Sequence, residues 1–198
     1  VGLLLLIGVW YWLRSCNQSP AGKPVTDTVT TAERTTTTDT VTAIQVTPVQ
    51  LTLPNGVKIN ALKDGVEERL IAFIQDGTSA PGKDNWFDFH MLNFSFGTAN
   101  ILPGSRAELE NIALILKAYP KVKVKIGGYT DKVGDEAVNK KLSQARADAV
   151  ARALREAGVG GQVTGAEGYG AQYAQYPADA PEQDRLKDRR IAISVREK

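Results

Sequence analysis

The stretch KVKVKIGGYTDKVGDEAVNKKLSQARADAV, residues 121–150, contains the pattern that decides the fold. Its lysines alternate with Val122, Val124 and Ile126, which is the period of a strand with one buried face and one wet face. A turn rich in Gly and Asp follows, and then a helical pattern over much of residues 135–157. A half-buried strand that is followed at once by a long helix predicts an α+β domain.

Arg146 interrupts an apolar row on that predicted helix. It lies four residues from both Leu142 and Val150, and residues at this spacing share one helix face. An arginine in such a row extends to solvent, pairs with an internal carboxylate, or awaits an anionic ligand. The residues alone favour the first two. Asp131 lies in the preceding turn, where binding groups are common. Whether it reaches Arg146 stays open, because a helix that starts near residue 135 places Arg146 about 16 Å along its axis.

The chain begins with VGLLLLIGVWYWLRSC, whose first thirteen residues carry no charged side chain. Aromatic rings followed by Arg14 suit a helix that leaves the hydrocarbon layer, and we interpret residues 1–14 as the C-terminal part of a transmembrane helix. Such a segment spans only about 20 Å, less than a hydrocarbon core of about 30 Å, so we expect the helix to begin further upstream. A lipoprotein that is acylated at Cys16 is the alternative.

Residues 15–48 are predicted to be a flexible, Thr-rich linker. Eleven threonines lie in residues 26–47, with almost no large apolar side chain among them. Thr and Val favour strands, but a segment with so little to bury gains too little to offset the entropy that ordering costs. We therefore expect a disordered tether in front of a folded part that begins near residue 49.

Residues 49–91 carry the patterns of two strands and a helix. The Asn-Gly turn in VQLTLPNGVKIN predicts a strand pair, and residues 64–76 have one apolar helical face. In residues 85–101 the apolar phase switches, which predicts a bulge or a break near residues 90–92. We interpret residues 49–91 as an N-terminal embellishment of the folded domain.

Residues 92–198 complete a β-α-β-α-β-β order. Ser105 and Glu108 are spaced as a capping box at the start of a helix over residues 105–118. Residues 171–188 are predicted to be a long loop, and the segment RRIAISV is predicted to be the last strand. This order predicts a two-layer α+β sandwich, in which helices cover one face of a mixed sheet.

Composition excludes several classes of function. A net charge of +2 is too weak to indicate a nucleic-acid partner. The single cysteine, Cys16, excludes an internal disulfide and a multi-cysteine metal site. The sequence has no nucleophile elbow, zinc-ligand spacing or phosphate loop, and the lone histidine, His90, is expected to be structural. We therefore predict a protein that is not an enzyme and that needs no cofactor or metal.

Three separated motifs resemble one family. They are GYTD at residues 128–131 with N-x-x-L-S-x-x-R-A at 139–147, LNFSFGTANILP at 92–103, and DRRIAISV at 188–195. In this order they resemble OmpA-like peptidoglycan-binding domains, and most of all the Bacteroidetes-type members that are anchored in the inner membrane. The resemblance implies an OmpA-like fold over residues 92–198.

The resemblance also implies a ligand. In the family it is the diaminopimelate residue of the peptidoglycan stem peptide, whose free end carries a carboxylate and an ammonium group. By position, Arg146 would bind that carboxylate and Asp131 would bind the ammonium group. Other residues match family positions that shape the pocket or open the last strand: Thr130, Asn139, Leu142 and Arg190. The chain departs from the family's Asn-Arg-Arg at Asp188, and Gly97 replaces a polar pocket residue of some members.

These inferences predict a protein that tethers a membrane to the cell wall. It is expected to cross the inner membrane once and to have its C-terminal domain in the periplasm. Expected partners are peptidoglycan, the lipid bilayer through residues 1–14, and proteins of a membrane complex. One alternative is the wall-anchoring subunit of an ion-driven motor, which needs an ionisable residue inside its membrane helix. Another is a protein-interaction module that uses the 170–188 loop or the lysine face, although a solvated face is the favoured interpretation of those lysines.

Overall fold

The computed structural model describes residues 47–198. The predicted transmembrane segment at residues 1–14 and nearly all of the predicted linker lie outside the described residues. Between residues 47 and 198, no helix combines the length and the apolar character that crossing a bilayer requires. The described strands are β1 (Pro48–Thr52), β2 (Lys58–Leu62), β3 (Trp86–Asp88), β4 (Lys123–Tyr129), β5 (Val163–Gly170) and β6 (Ile191–Glu197). The described α-helices are α1 (Val66–Gln75), α2 (Arg106–Ala118), α3 (Glu136–Leu154) and α4 (Glu182–Asp188).

Four of the strands form a mixed sheet in the order β3-β6-β4-β5. Strand β6 runs antiparallel to β3 and to β4, whereas β4 and β5 are parallel. A parallel pair requires a crossover connection, and α3 provides it. Helix α3 lies along β4 and β5 and packs against α2. The predicted α+β architecture with a mixed sheet is therefore confirmed.

The apolar alternation of the sequence produces the core. Val122, Val124 and Ile126 are buried, as are the inward residues of β6 at Ile191 and Ile193. Leu109, Ile112 and Leu116 of α2 are buried as well. The inward phase that the sequence predicted for β4 is thus confirmed.

Glycines let α3 lie unusually close to the sheet. A β-carbon added at Gly168 would lie 2.1 Å from the backbone nitrogen of Gln144, and one at Gly128 would lie 2.3 Å from the carbonyl oxygen of Ser143. Two hydrogen bonds fix the contact: Gly170 N–H donates to Ser143 Oγ at 2.9 Å, and Gly168 N–H donates to Gln144 Oε1 at 2.8 Å. These contacts fix the position of α3 on the sheet, and with it the positions of the side chains one turn beyond Ser143.

The N-terminal part shares this core. Strands β1 and β2 form an antiparallel hairpin, and Leu53, Ile59 and Leu70 belong to the same hydrophobic cluster as the sheet. Strand β3, which pairs with β6, also lies upstream of residue 92. Residues 49–91 therefore complete the core and the edge of the sheet.

The predicted capping box is wrong, because both side chains bond to a neighbouring segment of the same chain. Strand β3 ends at Asp88, which confirms the predicted break, and the backbone beyond it needs new hydrogen-bond partners. Glu108 supplies two of them, because its carboxylate accepts from the N–H groups of His90 and Met91 at 2.8 and 3.0 Å. Ser105 Oγ accepts from Asn93 N–H at 2.8 Å and makes no capping bond to α2. Both side chains therefore bond to the backbone of residues 90–93 instead of capping the helix.

The predicted loop at residues 171–188 contains helix α4, so that prediction is wrong in part. The short helix has Glu182 and Asp184 in its first turn and basic residues in its last turn, which complements its dipole. Asp188 at its end is buried and accepts from the N–H groups of Gln175 and Tyr176 at 2.8 and 3.0 Å. The Asp188 carboxylate thus holds the early part of residues 171–188 against the C-terminal end of this segment.

Candidate functional site

Asp131 lies just beyond the C-terminal end of β4 and is only 5% exposed. The strand end is fixed because Thr130 N–H donates to Gly170 O at 3.0 Å. Asp131 Oδ1 accepts from Val133 N–H at 3.1 Å, which is the local turn that Asp favours. The carboxylate is therefore held by its own loop before any ligand is considered.

Asp131 pairs with arginines from the C-terminal part of the chain. Its Oδ2 lies 2.9 Å from Arg189 Nη1 and 3.7 Å from Arg185 Nη1. Glu182 on α4 pairs with both of these arginines. The question that the sequence left open is answered in part, because the ion-pair partners of Asp131 are Arg189 and Arg185 and do not include Arg146.

Arg146 has a different environment. Its Nε donates to the carbonyl oxygen of Thr98 at 2.9 Å, and its guanidinium carbon lies 5.0 Å from the ring centroid of Phe94. No carboxylate within residues 47–198 forms an ion pair with it, and its two terminal nitrogens make no hydrogen bond there. Burial, and then the charge of Arg189, lower the pKa of Arg146. The side chain is therefore a partly buried cation that is oriented by its neighbours and is not neutralised by them.

Three further predicted residues lie on the loop of Asp131 or on helix α3. Asn139 Nδ2 donates to Val133 O at 2.8 Å and lies 3.4 Å from Asp131 O, so it fastens the loop to α3. Leu142 is partly buried one turn before Arg146. Thr130 Oγ1 is buried and has no hydrogen-bond partner among the described residues. The structure thus brings Asn139 of α3 against the loop that carries Thr130 and Asp131, and Leu142 and Arg146 follow on the same helix.

The sequence alone resembled one family, and comparison with known proteins agrees. Residues 93–188 match the OmpA family. The outer-membrane lipoprotein YfiB of Pseudomonas aeruginosa is 33% identical over 144 residues, which cover 71% of this chain and 84% of YfiB. The chain belongs to the OmpA family.

Other similar proteins match over half to two thirds of this chain. The peptidoglycan-binding protein ArfA of Mycobacterium bovis is 37% identical over 104 residues, which cover 52% of this chain and 32% of ArfA. The crystal structure of a putative MotB-like protein from Desulfovibrio vulgaris matches with a TM-score of 0.52 at 19% identity, over 67% of this chain and 93% of that one. That likeness supports the fold alone. The chain spans about a third or less of the length of several of the curated relatives that it matches.

In this OmpA-family domain, one predicted site residue lies elsewhere. Arg190 stacks on the ring of Tyr129 and pairs with Asp88 on the face of the sheet that is opposite α3. Its neighbour Arg189 contacts Asp131 instead. Consecutive residues that enter a strand point to opposite faces, so only one arginine of the pair faces Asp131. The resemblance indicated Arg190, whereas the structure has Arg189 beside Asp131.

The sequence also missed Arg185 and Glu182, since both lie in the segment that was predicted to be a loop. The sequence nevertheless contains a signal for a helix at these residues. The run EQDRLKD places acidic residues before basic residues at helical spacing, and Pro181 precedes it, as is common at helix starts. Helix α4 thereby adds one arginine and one glutamate to the predicted site.

Proposed function

We propose that this domain binds peptidoglycan non-covalently, through the diaminopimelate residue of the stem peptide, and so tethers a membrane-anchored protein or complex to the cell wall. The proposed site residues are Asp131, Arg146, Thr130, Asn139 and Leu142, with Arg189 in the place that the sequence had given to Arg190. The observation that carries the proposal is the environment of Arg146, an oriented guanidinium that lacks a carboxylate within the described residues.

Arg146 provides the group that would hold a ligand carboxylate. Its Nε is already bound to Thr98 O at 2.9 Å, so the plane of the guanidinium is set and the terminal nitrogens remain for a ligand. Arginine binds a carboxylate through two parallel N–H bonds, and such charge-assisted bonds are among the strongest in proteins. A buried guanidinium without a partner is costly, and a ligand carboxylate removes that cost.

Asp131 provides the complementary acceptor. A carboxylate has about four lone-pair sites, and Asp131 uses one for Val133 N–H and one for Arg189. It therefore retains acceptor capacity for an ammonium group. Thr130 Oγ1, which is buried and has no hydrogen-bond partner between residues 47 and 198, is a further polar atom that a ligand would satisfy. A zwitterionic amino-acid end matches the charges of these groups, because it presents one anion for Arg146 and one cation for Asp131.

Two observations from relatives support the same ligand. ArfA is named as a peptidoglycan-binding protein, and its alignment covers 52% of this chain. YfiB is named as an outer-membrane lipoprotein, which places a similar chain in the cell envelope. Binding of this kind forms and breaks no covalent bond, so the proposed role is not enzymatic.

The attachment to a membrane is part of the proposal. We infer that residues 1–14 anchor the chain in the inner membrane and that the Thr-rich segment 15–48 lets the domain reach the wall. Acylation at Cys16 is the alternative, and the likeness to a lipoprotein favours keeping it. Mass spectrometry of the chain purified from membranes distinguishes the two, because an acylated Cys16 would be the first residue of a processed protein.

The proposed binding is tested by co-sedimentation of the 198-residue chain with purified sacculi of the diaminopimelate type. We expect the wild type to sediment, and we expect Arg146→Ala and Asp131→Ala to stay in solution while they keep their circular dichroism spectra. Lys141→Ala is the matched control, because it removes an exposed positive charge from the same helix. It is expected to sediment like the wild type.

Two results would contradict the proposal. If all four proteins sediment equally, the binding is diffuse and does not depend on the paired charges. If none sediments, the domain has a different partner.

A further inference from the structure

The face of the sheet opposite α3 carries a cleft of about 760 Å³. Its floor is made by the aromatic rings of Trp86, Tyr129 and Tyr169, and Tyr173 stands at its edge. Two consecutive glycines of β4 identify this face. A β-carbon at Gly127 would lie 2.7 Å from the Trp86 ring of the cleft, whereas one at Gly128 would lie against α3. We call this region the open-face cleft. Its volume lies within the range of pockets that bind small ligands.

The rings of the open-face cleft form one connected cluster. Tyr129 and Tyr169 are stacked with centroids 5.1 Å apart, and Trp86 meets both of them edge-on at 6.2 and 5.9 Å. Tyr173 packs edge-on against Tyr169 at 5.3 Å and is 51% exposed. Tyr129 is buried under Tyr169 and Arg190 and supports the cluster, whereas Trp86, Tyr169 and Tyr173 keep exposed ring surface. Rings fixed in this way bind with little loss of conformational entropy.

The charges around the rings are mostly neutralised in pairs. Lys125 pairs with Glu167 at 2.5 Å. Arg190 lies 4.3 Å from the Tyr129 centroid and pairs with Asp88 at 3.3 Å. Arg196, Lys83, Asp84 and Gln175 complete the lining. The cleft therefore offers many hydrogen-bond donors and acceptors beside aromatic surface, with four basic and three acidic residues in its lining.

We propose that the open-face cleft binds an uncharged N-acetylhexosamine glycan, the sugar strand of the polymer whose peptide occupies the site at Asp131. This inference rests on the proposed function. Pyranose rings present C–H faces that stack on aromatic side chains, and their hydroxyl and N-acetyl groups need both donors and acceptors at the rim. An acidic peptide fits less well, because two of the four cations already have carboxylate partners and three acidic residues would repel it.

The position of the cleft favours the same ligand. Tyr129 and Arg190 are hydrogen-bonded to each other through their backbones at 2.9 Å. Their chain neighbours Thr130 and Arg189 belong to the Asp131 site on the other side. The two sites therefore meet at one end of the sheet, and a polymer that carries peptides on a glycan presents both ligand types to this end.

The inference is tested with the 198-residue chain and chitotetraose, which carries the N-acetylated sugar and has neither peptide nor charge. The fluorescence of Trp86 is the readout, and the signal is assigned by its absence in Trp86→Phe. We expect a saturable change for the wild type. Tyr173→Ser, which alters an exposed ring, is expected to weaken the apparent affinity roughly tenfold. Phe96→Ser is the matched control, since Phe96 is a fully exposed aromatic residue outside the cleft.

Two results would overturn the inference. The first is no fluorescence change at roughly 10 mM sugar, or an equal loss in Tyr173→Ser and Phe96→Ser. The second is a change with tetraglutamate and none with chitotetraose, which would assign the cleft to acidic peptides.

Failure of the proposed function is distinguishable from these results. Binding of a diaminopimelate stem peptide, measured on the same proteins by calorimetry, is expected to weaken about tenfold or more in Arg146→Ala and to be unchanged in Tyr173→Ser. Chitotetraose binding is expected to show the reverse dependence. If the peptide does not bind and the sugar does, the peptide-binding proposal fails, and the cleft stands as a sugar site alone.

Discussion

The two faces of the sheet differ in how their charged side chains are paired at the same strand ends. On the face that α3 covers, Asp131 is bound by two arginines, and a third, Arg146, has no carboxylate within the described residues. On the open face, the charges of Lys125 and Arg190 are neutralised locally and lie over aromatic rings. Since consecutive residues of a strand point to opposite faces, one strand end presents a charge-selective site on one side and a stacking surface on the other.

The largest effect is expected from a glycine that separates these environments. Gly168→Ala forces a β-carbon to within 2.1 Å of the α3 backbone, so α3 must move away from the sheet. We expect urea denaturation to show a free energy of unfolding lower by roughly 3 kcal/mol or more. Gly165→Ala is the matched control on the same strand, because its β-carbon would enter open space. It is expected to change that free energy by about 0.5 kcal/mol or less, and equal losses in the two variants would contradict the close packing of α3.

A smaller effect is expected from Glu108, whose carboxylate holds the segment that leads to Phe94 and Thr98 beside Arg146. Burial raises the pKa of Glu108 to about 7, against the opposing effect of its bonds to backbone N–H groups, and the charge of Glu67 raises it further. Because the folded-state pKa is above the ordinary value of 4.5, the stabilisation from this group is fully present below pH 4.5 and is lost as the pH rises through 7.

We therefore expect the free energy of unfolding of the wild type to contain a component that falls by roughly 2 kcal/mol between pH 5 and pH 8. Glu108→Gln cannot ionise, so the component should be missing from its pH profile. The measurement is chemical denaturation of both proteins across this pH range. Parallel profiles for the two proteins would show that Glu108 is ionised throughout.

The smallest effect is expected from the ion pair of the open face. The side chains of Lys125 and Glu167 are 28% and 41% exposed, and exposed pairs contribute little because water and salt screen them. Glu167→Gln is expected to lower the free energy of unfolding by less than about 1 kcal/mol, and less at high salt. A larger, salt-independent loss would show that the open face contributes to stability as the covered face does.

Much of the covered face was predictable from the sequence. The alternation at Val122 to Ile126 and the four-residue row through Arg146 are local patterns, so periodicity alone placed them correctly. The partners of Asp131 were not predictable in this way. Arg185 and Arg189 are more than fifty residues distant, and whether they reach Asp131 depends on the tertiary path of the chain.

Two errors have a common physical cause. Ser105 and Glu108 have the spacing of a capping box, but their side chains accept hydrogen bonds from backbone N–H groups of residues 90–93 and not from the end of the helix. The run at 182–188 is too short for a clear apolar period, so its helical character depends on the buried Asp188 that anchors it. In both cases, long-range backbone hydrogen bonding decided the role of residues with a different local preference.

We propose that Arg146 binds a ligand carboxylate, and this is decided by one calorimetric comparison. The wild type and Arg146→Ala are each titrated with two stem peptides, one with diaminopimelate and one with lysine at the same position, which lacks the second carboxylate. We predict that the wild type binds the diaminopimelate peptide about tenfold to a hundredfold more tightly, and that Arg146→Ala does not discriminate between the peptides. Equal affinities in the wild type, or discrimination that persists in Arg146→Ala, would contradict the claim.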